Sequence, residues 1–376
     1  MASRTIHLNY DVLVAIYSHL TDRNDLLAFM STCHALRLAG VYYLLRFRVV
    51  VTSDKQLASL CHFLLADAPT RLGMLTQLAV RTCAQSPETV NLYLRVLQGA
   101  RQLRDLDILC GRPASDARIH AAISNLNNVQ TLTVHDLSAP ESALLRYMDS
   151  PVRDIDISLS AYSQPIDPVA LLSNFSDSLE RLRVIQGYQQ RASPKVTYPF
   201  LHTLIAESCA FERIEPLIDA FPNLRDLTIK TYGDDETVDE VALDRLRNLE
   251  IQRLKSWDTL DRVRGDVLML YRLGISCRVK RLDIPCLVNT SADPIFTLSF
   301  KQMFAAVLAD TQPSILTLTL RPSVFDMTQF PMYMGSVPES LQKLVITLHI
   351  RASMDVGRVM VSLHFARVLV IRIYLD

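Results

Sequence analysis

Two matched pairs of aspartates, Asp105 with Asp107 and Asp154 with Asp156, are each separated by one residue. On a β-strand, residues two apart share a face. Each pair therefore sets two carboxylates side by side, the arrangement that acid–base chemistry uses. The surroundings favour a different reading. Both pairs fall at the third and fifth places of six-residue phrases, LRDLDI from Leu103 and VRDIDI from Val152. The expectation is an exposed acidic strand face, suited to solvation or docking. The nine histidines are scattered, and "CH" occurs at Cys33–His34 and Cys61–His62. Adjacent helical residues point in different directions and make poor joint metal ligands. The phosphate-loop pattern GxxxxGK[ST], the GxSxG elbow and HExxH do not occur. No catalytic, metal or cofactor-binding residue is assigned, and the chain is expected to be a non-enzyme.

The elements that must position those carboxylates follow from the rest of the chain. It has 376 residues, 49% hydrophobic and 21% charged, enough to build a large core or two modules. Formal net charge is +0, so the basic footprint of a nucleic-acid binder is missing. Seven cysteines, an odd number without a C-x-x-C pair, fit a reducing compartment better than a disulfide framework. No apolar run approaches the roughly 18 residues of a membrane helix, and no signal-peptide core opens the chain. A cytoplasmic or nuclear protein is expected, with neither membrane nor nucleic acid as partner.

The two aspartate phrases belong to a series of twelve. LTQLAV from Leu75, VQTLTV from Val129, LERLRV from Leu179, LHTLIA from Leu201 and LRDLTI from Leu224 are members. So are IQRLKS from Ile251, VKRLDI from Val279, ILTLTL from Ile315, LQKLVI from Leu341 and ARVLVI from Ala366. Ten of the eleven start-to-start spacings lie between 22 and 28 residues, and one is 36. The fourth place is leucine in eleven phrases and Ile155 in the other. Places four and six point to one side of a short strand and bury, and places three, five and seven point to the other. Between phrases lie stretches of helical character, such as PETVNLYLRVLQGA from Pro87 and TVDEVALDRLRN from Thr237. A doubly wound α/β domain is the alternative; it needs a Gly-rich βα turn, and none is found.

The first fifty residues differ from the rest. Leu13, Ile16 and Leu20 recur at helical spacing, with Asn9 placed to cap a helix over 11–20. Asp25 is placed to cap a second helix carrying Leu26, Leu27 and Phe29. A third, from about Thr32 to Arg46, has Leu36, Tyr43, Leu44 and Phe47 to bury. A three-helix unit of this size has a marginal core and gains from a partner or from docking on its neighbour. The run from Val49 to Pro69 reads as a strand followed by a helix.

The period and the L-x-x-L-x-L phrase resemble degenerate leucine-rich repeats, whose units use 20–29 residues. The usual Asn or Cys at place nine survives only as Cys83 and Cys209. Leu8, the DVL of Asp11–Leu13, Ile16, Leu20, the DLLA of Asp25–Ala28 and TC..LR..G from Thr32 to Gly40 resemble an F-box. The whole layout is similar to fungal-type F-box/leucine-rich-repeat proteins. The resemblance implies an α/β chain: an F-box at 4–50, a linker and N-terminal cap at 51–74, and a solenoid of about twelve repeats at 75–376. It implies the substrate-recognition subunit of an SCF-type (Skp–cullin–F-box) ubiquitin ligase. The F-box then binds a Skp-type adaptor, and through it a cullin, while the repeats hold a protein substrate. Positions matching the family's adaptor contacts are Leu8, Leu13, Ile16, Leu20, Leu26, Leu27 and Cys33. Asn9 and Leu36 depart from the family pattern, which usually has proline and often tryptophan there. The alternative is a repeat scaffold that binds a partner without a ligase.

On the repeat face the substrate candidates are Asp105, Asp107, Asp154 and Asp156 in an acidic section. Arg181, Arg183, Arg253, Lys255 and Arg281 form a basic section, with Trp257, the sole tryptophan, as an anchor if exposed. The last phrase is expected to form an edge strand.

Overall fold

The computed structural model describes residues 9–82, 86–110, 116–160, 166–186, 196–209, 211–230, 238–285, 294–320, 338–350 and 369–375. The chain divides into two compact units, Met1–Ile157 and Ser158–Asp376.

Unit 1 opens with α1 (Tyr10–Tyr17), α2 (Arg23–Met30) and α3 (His34–Arg46). Asn9 caps α1, its side chain accepting from the Asp11 amide at 3.1 Å. The cap of α2 is Asp22, not Asp25: its Oδ1 accepts from the amides of Asn24 (2.7 Å) and Asp25 (3.2 Å). Asp25 sits in the first turn instead, where a carboxylate complements the helix dipole. Tyr17, Leu26, Met30 and Leu36 form the buried centre, with Leu13, Leu20, Phe29, Tyr43, Leu44 and Phe47 packed around it. Gly40 lets α3 come close: a Cβ there would lie 2.3 Å from the Met30 Cγ and 3.0 Å from the Tyr17 Oη.

The chain then enters a sheet at β1 (Val49–Val51), two residues before the expected linker. It continues through α4 (Asp54–Leu65), α5 (Ala68–Met74), β2 (Gln77–Val80), α6 (Pro87–Gly99) and β3 (Asp105–Leu109). After these come α7 (Ala117–Ser124), β4 (Thr131–Leu137), α8 (Ala143–Arg146) and β5 (Asp154–Leu159), the last straddling the unit boundary. The helix α3 packs on α5, so the opening helices belong to the same compact unit as the first strands. Helix starts follow local chemistry. Ser53 caps α4 and Ser86 caps α6, with Pro87 in the first turn. Leu57, Cys61 and Leu64 on α4, and Val90, Tyr93 and Leu97 on α6, make the buried stripes.

Unit 2 holds α9 (Pro168–Leu171), β6 (Arg181–Ile185), β7 (Thr203–Glu207), α10 (Glu215–Ala220), β8 (Asp226–Lys230) and α11 (Val238–Leu254). It continues with β9 (Thr259–Gly265), α12 (Val267–Leu273), β10 (Arg278–Ile284), α13 (Pro294–Thr311), β11 (Ile315–Leu320), β12 (Lys343–Ile350) and β13 (Leu369–Leu375). In unit 1, β1 to β4 pair in parallel in chain order, with β5 beside β4. In unit 2, β6 to β13 do the same. The fold is therefore α/β with parallel strands and intervening helices. Among the described strands β13 stands last in the order, beside β12, where an edge strand was expected. No helix among the described residues is long and apolar enough to cross a membrane.

A repeating hydrogen-bond device fixes the register. The carbonyl at phrase place two accepts two amides, from places two and three of the next phrase. Thr76 takes Arg104 and Asp105, Arg104 takes Gln130 and Thr131, and His202 takes Arg225 and Asp226. At place eight, Asp136, Gln186 and Ser208 adopt left-handed backbone with φ of 56°, 65° and 56°. The sequence does not announce these corners, since none is glycine. Each is held by its surroundings, as strained backbone must be. The amides of Gln186 and Ser208 donate to the next strand's carbonyls, at Glu207 and Lys230.

The same register corrects two phrases. IQRLKS from Ile251 is not a strand: its first four residues end α11, and Leu254 is exposed. The strand is β9, where Val263 pairs with Leu227 and Leu282, so the phrase begins at Leu260. Helical continuity from Val238 outweighs the local L-x-x-L pattern, because α11's inner face is tied down by buried polar side chains. The phrase ILTLTL is displaced by two residues: Leu316, not Leu318, pairs with Leu282 and Leu344. A two-residue slip keeps every side chain on its face, so alternation alone does not detect it.

Candidate interaction surfaces

The three opening helices divide the expected adaptor residues sharply. Leu26 is fully buried at the centre of the helical core, which removes it from the contact set. Its neighbour Leu27 is 42% exposed, and Cys33 is exposed. Leu13, Ile16 and Leu20 are half-buried, Leu13 and Leu20 packing on the core with one edge outward. Leu8 lies outside the described residues. One amphipathic helix turns adjacent residues about 100° apart, so Leu26 and Leu27 cannot both serve the core. Tyr10, Val12, Leu38 and Tyr42 are exposed as well and were not singled out.

On the strand face of unit 1, the carboxylates are not the open acidic section expected. Asp107 is completely buried, which corrects its place as a docking group. Its Oδ2 accepts from Arg48 Nη2 at 2.5 Å and from Arg81 Nε and Nη2 at 3.1 and 2.9 Å. The His135 Nε2 stands 3.1 Å from Oδ1, without the alignment of a hydrogen bond. Arg48 and Arg81 flank β1 and β2, and His135 lies on β4, so neighbouring strands bring their charges onto β3. This is how a carboxylate becomes buried on a polar face: two guanidinium groups replace its water. Asp105, Asp154 and Asp156 remain half-buried. Burial pushes the Asp105 carboxyl above its usual range; Arg48 opposes this, and Asp107 and Asp154 add to it.

In unit 2 the face is organised by ion pairs across strands. Glu207 on β7 lies between Arg183 on β6 (3.2 Å) and Lys230 on β8 (2.7 Å). Burial works to raise its carboxyl, but Lys230 and then Arg183 outweigh that and hold it low. Asp283 on β10 takes Arg262 from β9 at 2.6 Å and Arg281 from its own strand at 2.8 Å. Burial again pushes upward, and the arginines prevail, holding Asp283 below its ordinary value. Arg264 is the register neighbour of Asp283 on β9, on the same face as Arg262. Arg262 and Arg281 keep nearly half of their side chains exposed. Arg181 is exposed on β6.

Three expected members of the basic section do not join it. Arg253 ends α11, and Lys255 follows it, bonded to Asp219 at 2.5 Å. Trp257 is only 2% exposed, its Nε1–H donating to the Phe221 carbonyl at 2.8 Å, so it is a core residue and not a surface anchor. Arg262 and Arg264 take their place on the strand face. They were missed because the misplaced phrase hid the strand that carries them. Cys209 is buried, its Sγ 3.3 Å from the Glu207 carbonyl oxygen; Cys83 lies outside the described residues. Compared with known proteins, the chain matches no protein-family model and no curated protein.

Proposed function

We propose that the chain is the substrate-recognition subunit of an SCF-type ubiquitin ligase, its opening helices binding a Skp-type adaptor and its degenerate leucine-rich repeats holding a protein substrate. One observation carries this reading. A three-helix group with F-box-like wording keeps Val12, Leu27 and Leu38 in water while burying Leu26 and Leu36 beneath them. Small helical groups with exposed apolar side chains mark protein interaction sites. The strand face supports a receptor role. Arg262, Arg264 and Arg281 around Asp283 offer an excess of positive charge to an acidic segment of the substrate.

The test is retention of a Skp–cullin pair by the purified full chain. Replacing Val12 and Leu27 together with Asp should abolish retention, because two apolar contacts become desolvated charges. Both side chains are exposed, so circular dichroism should not change. Failure of the unaltered chain to retain the pair overturns the reading.

A further inference from the structure

Helix α11 is amphipathic in the inverted sense. After the buried Val241, its inward face is polar. Asn248, fully buried, accepts from the Ile214 amide and donates to the carbonyls of Glu212 and Arg272, each at 3.0 Å. Gln252 donates to the carbonyls of Leu273 (3.0 Å) and Gly274 (2.7 Å), and its oxygen accepts from the Ser276 amide at 3.0 Å. Arg245 donates to the Tyr271 carbonyl (3.1 Å) and pairs with Asp310 (2.5 Å). These side chains satisfy the backbone of the turns beside α11, so the inward face is fixed by hydrogen bonding and cannot rotate outward. Three of its four leucines face water, and Leu249 is half-buried. Leu243 is 63% exposed, Leu246 is 61% and Leu254 is 92%.

Two pairs of exposed residues are related by a two-fold about one point of the helix, while the counterpart of exposed Leu246 is the half-buried Ile251. About the midpoint between Asn248 and Leu249, Leu243 exchanges with Leu254 and Arg247 exchanges with Glu250. All four are exposed, and Arg247 also pairs with Asp244 of its own helix at 3.2 Å. On a wheel of 100° per residue, they fall within about 60° of one another. The first turn of the helix carries Asp239 and Glu240, and its last turn carries Arg253.

We infer that α11 is the contact of a two-fold dimer, docking antiparallel on α11 of a second copy of this chain. In that arrangement each Leu243 meets the other copy's Leu254, and each Arg247 meets the other copy's Glu250. An interface whose patch complements itself is what two-fold symmetry requires. A different partner would not need this two-fold relation between Leu243 and Leu254 and between Arg247 and Glu250. One helix per copy covers less than the roughly 800 Å² per partner of a standard interface, so the dimer is a weak one. The inference does not depend on the ligase reading, which concerns other helices.

Sedimentation velocity on the full chain, from about 5 to about 300 µM, spans the affinities expected of such a small interface. The mass should rise from one chain towards two. Leu243→Lys with Leu254→Lys should hold it at one. Arg247→Glu sets two glutamates against each other across the axis, and Glu250→Arg sets two arginines, so either variant alone should dissociate about tenfold more readily. Mixing the two variants in equal amounts should restore the dimer, because both cross-axis pairs are then oppositely charged. A chain that stays monomeric throughout overturns the inference. So does a leucine double variant that dimerises like the unaltered chain, or a mixture that stays as weak as its components.

Discussion

The Tyr17 hydroxyl donates to the carbonyl oxygen of Leu36 at 2.6 Å, nineteen residues along the chain and inside the core of the opening helices. The Tyr17 ring stacks on Tyr43 at 5.1 Å and meets Phe29 edge-on at 4.9 Å. This ring occupies the centre of the opening helices beside Leu36. Tyr17→Phe keeps the packing and leaves a buried carbonyl without its donor, which should destabilise the unit by about 1–2 kcal/mol. Leu36→Trp should destabilise it too, by about 1–3 kcal/mol, through overpacking against Tyr17. Urea unfolding followed by far-UV circular dichroism measures both. A Leu36→Trp variant more stable than the parent would show that the core has room for the larger ring.

Asp107 is the pivot of a charge cluster that joins β1, β2 and β3. Replacing it with Ala leaves Arg48 and Arg81 without their shared anion. Both guanidinium groups are partly in water and can re-solvate, so the loss should be about 2 kcal/mol, less than for a wholly buried pair. The midpoint of urea unfolding reports it. A change below a few tenths of a kcal/mol would mean that the buried carboxylate is balanced by its own desolvation.

Glu207 predicts a pH dependence with a defined sign. Its carboxyl is held below the ordinary value of 4.5, so the folded state favours the charged form. The stabilisation is complete above that ordinary value and is lost as pH falls below it towards the folded pKa. Glu207→Gln should therefore be less stable than the parent at pH 7, by about 1 kcal/mol after allowance for the exposure of its partners. The difference should shrink in acid. Chemical denaturation of both proteins at several pH values between about 7 and 3 tests this; a constant difference would exclude the ion pairs as its origin.

Trp257 supplies a reporter, being the one tryptophan in the chain. Buried and bonded to the Phe221 carbonyl, it should emit at short wavelength and resist quenching by iodide. Its emission should move to the red as unit 2 unfolds. Trp257→Ala should destabilise that unit by about 3–5 kcal/mol through loss of the ring and an empty cavity. Red emission from the native protein would place the indole in water and contradict the packing.

Periodicity carried much of this protein. The alternation of places four and six against three, five and seven set which side chains bury, as in β4, β5 and β7. It also set the α/β class, because a strand face and a helix stripe follow from repeats of two and 3.6 residues. Asn9 was legible as a cap because capping is local. The tertiary structure decided what depends on distant partners. The L-x-x-L pattern from Ile251 was claimed by a helix, since Asn248 and Gln252 bond to turns up to 36 residues away. Leu26 and Leu27 look alike in sequence, and only the crossing of α2 with α3 sends one inward. Asp107 looks like a surface acid, yet Arg48, 59 residues earlier, and Arg81, 26 residues earlier, close over it. Local patterns fix which faces an element has; burial and charge at one position depend on what the rest of the chain brings against that face.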